Sequence, residues 1–530
     1  MKTRQLLHGA LCAFVLGASQ APAETLNFAY QADVQGLDPQ ALNETFTLGF
    51  LGNIYEGLTA YDGDMKVQPA LATGWEVTSP TTWKITLREG VTFHNGDPFT
   101  ADDVIFTWQR AQTQGSDQKG RARLISGIEK VSDHEIIITT AEPVPTLMQD
   151  LVFFYIMDKH WAETNGATEA TSVSDTNSAN FANLHVNGTG PFVVAERQPG
   201  VRTVLTRQDH YWGTMPGNVT EAIFTPIQED PTRVAALLSG KVEIAYPVPL
   251  QDWQRITEAA GVRVVVTPEA RTVYLGMDQM RPVLNRSNVT DANPFKDVRV
   301  RAAFAHAINI PAITDRIMRG SSSPAGLMVA PQITGFDPAL NAPYAYDPER
   351  AKALLAEAGY PQGFEVQMDC PNDRYVNDEM ICQAIVGMLS RVGVKVDLMA
   401  QTKSKYFAKI LAAGGYDTSF YLLAWTPSSM DAFEVLNLLI SCRNDAGTTG
   451  PFNLGGYCSP EVDALTKAVA VETDPAKRQA LISRAFEIVK DDYGYIPLHQ
   501  QPISWGVQDG VAVTQRADNV LDLRSVVVSR

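Results

Sequence analysis

The sequence predicts an α/β fold divided among several structural units, on three observations. Ala-, Leu- and Val-rich helices with legible caps alternate with short apolar strands through residues 298–398, the order that builds a layered α/β lobe. Residues 75–87 alternate apolar and polar side chains instead, the period-two pattern of a half-buried hairpin. The 530-residue length exceeds any single core, and at about 100 to 200 residues per domain it implies two to four units.

At the N-terminus, Lys2 and Arg4 give a charged start, residues 6–18 are apolar, and Ala21-Pro-Ala23 offers a small-residue cleavage site before Glu24. This is the pattern of a cleaved secretory signal over residues 1–23. The apolar stretch is shorter than the roughly 20 residues that span hydrocarbon. Leu11 precedes Cys12 where lipid attachment needs a very small residue, so a soluble exported protein is expected. No later segment approaches about 18 uninterrupted apolar residues. The formal charge is −16 and becomes two units more negative when Lys2 and Arg4 leave with the signal. An anionic surface disfavours nucleic acid and anionic membrane as partners.

Loss of Cys12 leaves Cys370, Cys382, Cys442 and Cys458, an even number suited to disulfides in an oxidising compartment. Three pairings are open. The local ones, Cys370 with Cys382 and Cys442 with Cys458, are favoured because their closing loops are short and lie within adjacent surface segments. Neither pair has the spacing of a zinc knuckle, and no histidine stands near either.

Along the mature chain, residues 25–30 read as a strand, residues 36–39 as a turn and residues 45–57 as a helix. Asn95-Gly96 marks a turn, and Thr100 with Asp103 spells a capping box that starts a helix near Val104. Residues 166–187 are rich in Thr, Ser and Asn before Gly188-Thr-Gly-Pro191, which predicts a domain crossing. After the polar residues 281–293, Asp297 is placed to cap a long amphipathic helix. The next helix has Asp347 as N-cap, Pro348 at its first position and Gly359-Tyr-Pro361 as its stop.

Catalytic patterns are absent from the sequence. Gly320-Ser-Ser-Ser-Pro-Ala-Gly326 puts Pro where a nucleophile elbow needs Gly, and Ser239-Gly-Lys241 lacks the glycine spacing of a phosphate loop. The histidines stand singly; His94 and His499 read as structural residues. Asp102-Asp103 is explained by a helix start, and adjacent acids such as Asp491-Asp492 point in different directions. A non-enzymatic protein without catalytic residues, metal or cofactor is expected.

Several phrases together resemble the extracellular solute-binding proteins of family 5, the dipeptide, oligopeptide and nickel-binding group of ABC importers. They are Gly36-Leu-Asp-Pro39, Tyr55-Glu-Gly-Leu58, the run from Phe93 to Val104, Gly188-Thr-Gly-Pro-Phe192, Tyr211-Trp-Gly213, the run from Ala235 to Ala245, Val298-Arg-Val-Arg-Ala-Ala303 and Tyr346-Asp-Pro-Glu-Arg350. Eight in order along the mature chain make the resemblance specific, although most are caps and turns, which carry fold rather than chemistry. The resemblance implies an α/β two-lobed periplasmic binding protein, type II of cluster C, with a hinge and a small domain inserted in the first lobe. The expected divisions are 24–58 and 188–276 for the first lobe, 59–187 for the inserted domain, 277–499 for the second lobe, and 500–530 returning to the first.

Family resemblance also implies capture of a small peptide or peptide-like solute, such as an opine, and delivery to the transmembrane subunits of an inner-membrane ABC permease by a monomer. A non-peptide solute such as an oligosaccharide or a metal chelate is the alternative, with a secreted hydrolase behind it. Arg374 is expected to pair bidentately with a solute carboxylate. The segment from Trp425 to Asp431 resembles the family's cleft loop, in which an acid three residues after the aromatic holds the peptide ammonium. Here that position is Ser428. A buried ammonium needs a counter-charge that a hydroxyl lacks, so Asp431 is expected to substitute, or the solute to have no free α-amino group. Phe46, Tyr246 and Tyr274 are expected as aromatic walls from the first lobe, with Trp425 facing them.

Overall fold

The computed structural model describes residues 24–173, 180–444 and 447–529. The expected signal over residues 1–23, with Cys12, lies outside the described residues.

Two unusually long strands organise the chain. Val262–Met277 has 16 residues and Ile496–Gln508 has 13, against about five or six in an ordinary strand. They pair antiparallel from Val262 opposite Gln508 to Leu275 opposite Ile496, and they form the middle of an eleven-stranded sheet. On one flank Ile244–Tyr246, Glu24–Tyr30, Val219–Pro226, Arg202–Arg207 and Phe192–Gln198 follow in that order. The other flank carries Phe420–Trp425, Glu365–Pro371 and Lys395–Gln401.

The sequence explains where this ladder breaks. Pro268 faces Pro502, and the register shifts between Pro268 and Thr272. Neither proline has an N–H to donate, so regular pairing cannot run through that point. The side chains change core at the same place. Ile503, Trp505 and Val507 pack with Leu26, Phe28 and Phe224, whereas Val273, Leu275, Ile496 and Leu498 pack with Phe295, Phe304 and Phe420. A mixed α/β lobe therefore stands on each side of the break.

A separate antiparallel sheet of Ala72–Ser79, Thr82–Leu87, Glu135–Thr139 and Gly127–Ser132 has its own core around Trp83, Ile85, Phe93, Phe99 and Ile138. The hairpin read over residues 75–87 is its first pair. The capping box is present at helix Ala101–Ala111, where Thr100 N donates to Asp103 Oδ2 at 2.8 Å. Arg110 on that helix ties the small sheet to the first lobe. Its buried guanidinium donates to Asp38 at 3.0 and 2.6 Å, to Gln40 Oε1 at 2.9 Å, and to the carbonyls of Ala167 and Glu169 at 2.8 and 3.2 Å. All five N–H groups are used. The glycines of Gly188-Thr-Gly-Pro191 have a similar role, since a Cβ on Gly188 or Gly190 would lie 2.0 or 2.6 Å from Ile54 O. Only bare backbone fits there.

Asp297 caps helix Val298–Ala307 and Asp347 caps Pro348–Glu357, each through a backbone N–H two or three residues on. The first of these is short and buried nearly all round rather than long and amphipathic. The helix read over residues 45–57 ends at Leu51, because Asn53 Nδ2 turns to the carbonyls of Phe50 and Leu521 at 3.2 and 3.1 Å. Both local disulfides are formed, Cys370 with Cys382 and Cys442 with Cys458. The first is not at the surface as expected: it is fully buried in the second lobe's core, joining the strand Glu365–Pro371 to the helix Asp378–Ser390 behind it.

Replacing Arg110 with Met should leave Asp38 buried without its charge partner and cost about 3 to 5 kcal/mol. Urea denaturation followed by circular dichroism checks this; an unchanged midpoint would show that the ion pair does not hold the small sheet in place.

Candidate functional site

Between the lobes lies a cavity of about 840 Å³. The break in the long strands forms its floor, with Glu269, Arg271 and Gln501, while Tyr30, Gln31 and Trp253 face it from the first lobe and Arg374, Tyr375 and Lys403 from the second. Glu269 accepts from Arg271 Nε at 2.9 Å and from Gln501 Nε2 at 2.7 Å. Gln501 Oε1 accepts in turn from Val376 N at 3.2 Å, so the floor is wired to the second lobe.

Arg374 is placed by the turn that precedes helix Asp378–Ser390. Asp378 Oδ2 accepts the backbone N–H groups of Arg374 and Tyr375, both at 2.9 Å. This curls the chain so that the Arg374 side chain is exposed into the cavity, with its guanidinium 5.2 Å from the Tyr375 ring centre. Among the described residues no carboxylate lies in ion-pair range of Arg374 or of the Lys403 ammonium. The acids of the same wall each have one bonded partner: Asp230 has Arg233, Asp373 has Lys403 N, and Glu379 has Gln383. The wall keeps an excess of negative charge, and Arg271 is paired with Glu269, so Arg374 and Lys403 are its cations without an ion pair. A carboxylate would find partners on both.

The cleft loop after strand Phe420–Trp425 departs from expectation. Asp431 is 0 % exposed, its two oxygens accept from Arg478 Nη1 and Nη2 at 2.8 and 2.7 Å, and it caps the next helix through Phe433 N at 2.8 Å. It cannot meet a solute, which corrects the expectation that Asp431 replaces the missing acid. Ser428 Oγ donates to Glu434 Oε2 at 2.9 Å. Glu434 also accepts from Ser429 N at 3.0 Å, from Ser429 Oγ at 3.1 Å and from Trp425 Nε1 at 3.2 Å. The loop's anion therefore comes from one helical turn further on. Its signal in the sequence is an acid three residues after an N-cap Asp, the capping-box spacing. Here the acid bends back to the loop instead of to the cap.

Opposite this loop stands Tyr61. Tyr61 OH donates to Ser429 O at 3.4 Å, and Gln149 Nε2 to Thr334 Oγ1 at 3.4 Å. Burial raises the Asp150 carboxyl to about 7; Thr146 Oγ1, at 2.8 Å, and Arg121 work against that rise, and Glu434 adds to it.

Of the aromatic residues singled out, Trp425 is half-buried with its ring 4.8 Å from Phe452. Phe46 and Tyr246 are buried in the first lobe's core. They act from behind: Phe46 stacks on Tyr30 at 3.7 Å, Tyr246 packs 5.0 Å from it, and Tyr30 faces the cavity. Tyr274 is corrected to a core residue. It lies past the break in the ladder, fully buried in the second lobe, edge-on to Tyr495 at 5.7 Å. The two conspicuous histidines are also enclosed. His94 Nε2 is 3.0 Å from Gly190 O, and burial lowers His499 to about 4. Sequence reasoning missed Tyr30, Glu269, Arg271 and Lys403 at the cavity and Glu434 at the loop, which share no local pattern.

A family model described as bacterial extracellular solute-binding proteins, family 5 middle, matches residues 66–447. The glutathione-binding protein GsiB of Salmonella typhimurium is 27 % identical over 504 residues, covering 94 % of each chain. Among solved structures, HbpA2 from Haemophilus parasuis superposes with a TM-score of 0.81 at 22 % identity, over 96 % of this chain and all of the other. The periplasmic binding protein DppA from Helicobacter pylori, in complex with the peptide STSA, gives 0.73 at 22 % identity over 96 % and 98 %.

Because the folded Asp150 carboxyl sits near 7, its contribution to stability is full below the ordinary carboxylate range and is lost as pH rises to about 7. Asp150→Asn should remove that loss. Its unfolding free energy from urea denaturation should exceed that of the parent increasingly from pH 4 to 7, by about 2 kcal/mol at pH 7 after allowance for partial exposure; parallel curves would place the carboxyl at its ordinary value.

Proposed function

Because the chain belongs to the bacterial extracellular solute-binding proteins of family 5, we propose that it is the periplasmic receptor of a peptide-type ABC importer whose solute is a short anionic peptide or peptide-like molecule. Unspent donors on Arg374 and Lys403, at the wall of an 840 Å³ space between two lobes, are the observation that carries this reading. Such a volume is in the range that encloses a small solute, and the aromatic face of Tyr30 complements the donors. Glutathione, the ligand in the name of the relative from Salmonella typhimurium, is a tripeptide with two carboxylates and is the first solute to test.

The protein binds and releases without chemistry, in keeping with a family described as solute-binding proteins. Export through the signal over residues 1–23 puts it in the periplasm as a monomer. Solute bound across the break in the two long strands favours the closed arrangement of the lobes, and the permease of the inner membrane reads that arrangement. We place the crossing between lobes at residues 268–272 and 500–502, where the ladder shifts, a few residues from the 276 and 499 boundaries read from the sequence.

Isothermal titration of the exported protein with glutathione, an opine and a neutral tripeptide amide tests the reading. The anionic solutes should bind and raise the melting temperature, and Arg374→Ala should weaken them about 10- to 100-fold, the worth of a charge-assisted hydrogen bond. Equal affinity of the parent and Arg374→Ala for every anionic solute would remove Arg374 from the site.

A further inference from the structure

The break in the long strands carries a cation of its own. Between Pro268, opposite Pro502, and Thr272, opposite Gln500, the strand Val262–Met277 sets three residues, Glu269, Ala270 and Arg271, against Gln501 alone. A bulge of this kind bends the strand and re-aims its side chains. Ala270 N leaves the ladder and donates to Ala517 O at 3.1 Å, and the Ala270 side chain is buried. Glu269 and Arg271, on either side of it, turn the other way and line the cavity floor.

Arg271 is held firmly, yet most of its donors are unspent. Of the five N–H groups of a guanidinium, the one on Nε donates to Glu269 Oε1 at 2.9 Å, and Glu269 Oε2 accepts from Gln501 Nε2 at 2.7 Å. Gln501 Oε1 accepts from Val376 N at 3.2 Å, so the pair is braced from the second lobe at a point two residues from Arg374. Arg271 Nη1 and Nη2 have no partner among the described residues, and neither is sealed in protein. The cavity lies beside them. Glu269 fixes the plane of the guanidinium, and the open edge between Nη1 and Nη2 has the fork geometry that takes both oxygens of a carboxylate.

We infer that Arg271 is a second anion site, at the hinge, and that the solute is a dianion with a carboxylate at each end, one held by Arg374 and Lys403 and the other by Arg271. The inference rests on the anionic-solute reading and narrows it. A peptide with neutral side chains has a single carboxylate and leaves one anchor unmatched, whereas glutathione and opines of the N-carboxyalkyl amino-acid type have two. The anchors also belong to different parts of the molecule, Arg374 to the wall of the second lobe and Arg271 to the strand break. A dianion that joins them holds the lobe against the hinge, which favours the closed arrangement.

Glutathione and its two monoamides, each with one carboxylate replaced by a carboxamide, make the test. By titration calorimetry the parent should bind each monoamide about 10- to 100-fold more weakly than glutathione. Arg271→Met should lose a similar factor on glutathione and on one monoamide but nothing on the other, which lacks the carboxylate that Arg271 holds. Arg374→Ala should show the reverse pattern, and Arg271→Lys should restore part of the loss. Arg271→Met leaves the partly buried Glu269 without its cation, so Glu269→Gln combined with Arg271→Met is measured beside it, and melting curves report whether each variant is folded. Unchanged binding of glutathione by the Arg271 variants, an equal loss on all three solutes, or insensitivity of Arg271→Met and Arg374→Ala to the same monoamide overturns the inference and leaves the anionic-solute reading standing. Binding of neither glutathione nor a dicarboxylate opine by the parent overturns both.

Discussion

One ladder of hydrogen bonds holds this molecule together and also sets how it can move. The strands Val262–Met277 and Ile496–Gln508 each contribute to both lobes, so neither lobe can be displaced without bending the pair. Bending is cheapest where the pairing is already interrupted, and Pro268 opposite Pro502 supplies the interruption. Motion is thereby confined to a few residues, and the cavity over them, lined by Glu269, Arg271 and Gln501, is where a bound solute would bias that motion most. Hinge and cavity floor are the same stretch of chain.

The jaws on either side need to be stiff for such a hinge to work, and buried arginines make them so. Arg110 fixes the small sheet to the first lobe through Asp38, and Arg478 fixes the cleft loop to the second through Asp431. Asp38 stands in a phrase that reads as a turn, and Asp431 in the loop that reads as a solute contact. Their burial shows the opposite economy: a carboxylate fully bonded by a guanidinium offers nothing to a ligand, but it sets the position of the loop that does. The cavity's cations without an ion-pair partner among the described residues are instead Arg374 and Lys403.

Much of the fold was legible because it is written locally. The capping box at Thr100, the caps at Asp297 and Asp347, the hairpin from Trp75 to Leu87 and the two short disulfide loops depend on residues a few positions apart. Ile54, whose backbone requires the glycines at 188 and 190, is more than a hundred residues away, so the motif could be recognised without its reason being visible. The site was less legible for the same cause. Arg374 was visible as an arginine at a strand end, but whether Tyr274 faced a pocket or a core depended on which side of a ladder shift it fell. Glu434 could not be read as part of the loop, because its bonds to Trp425, Ser428 and Ser429 form only when the loop folds back on helix Ala432–Val435.

The exchange of roles within the cleft loop is the clearest case. A serine at 428 suggests lost recognition if the loop is read as a string, since an acid three residues after the tryptophan has gone. In space the hydroxyl is a donor to Glu434, and so are both Ser429 groups and the Trp425 indole. Four donors around one carboxylate fix its direction, which an aspartate at 428, nearer the exposed tip of the loop, would have lacked. The charge is retained and set deeper than the exposed tip of the loop. A change that looks like a deletion in one dimension is, in three, a relocation of the loop's carboxylate.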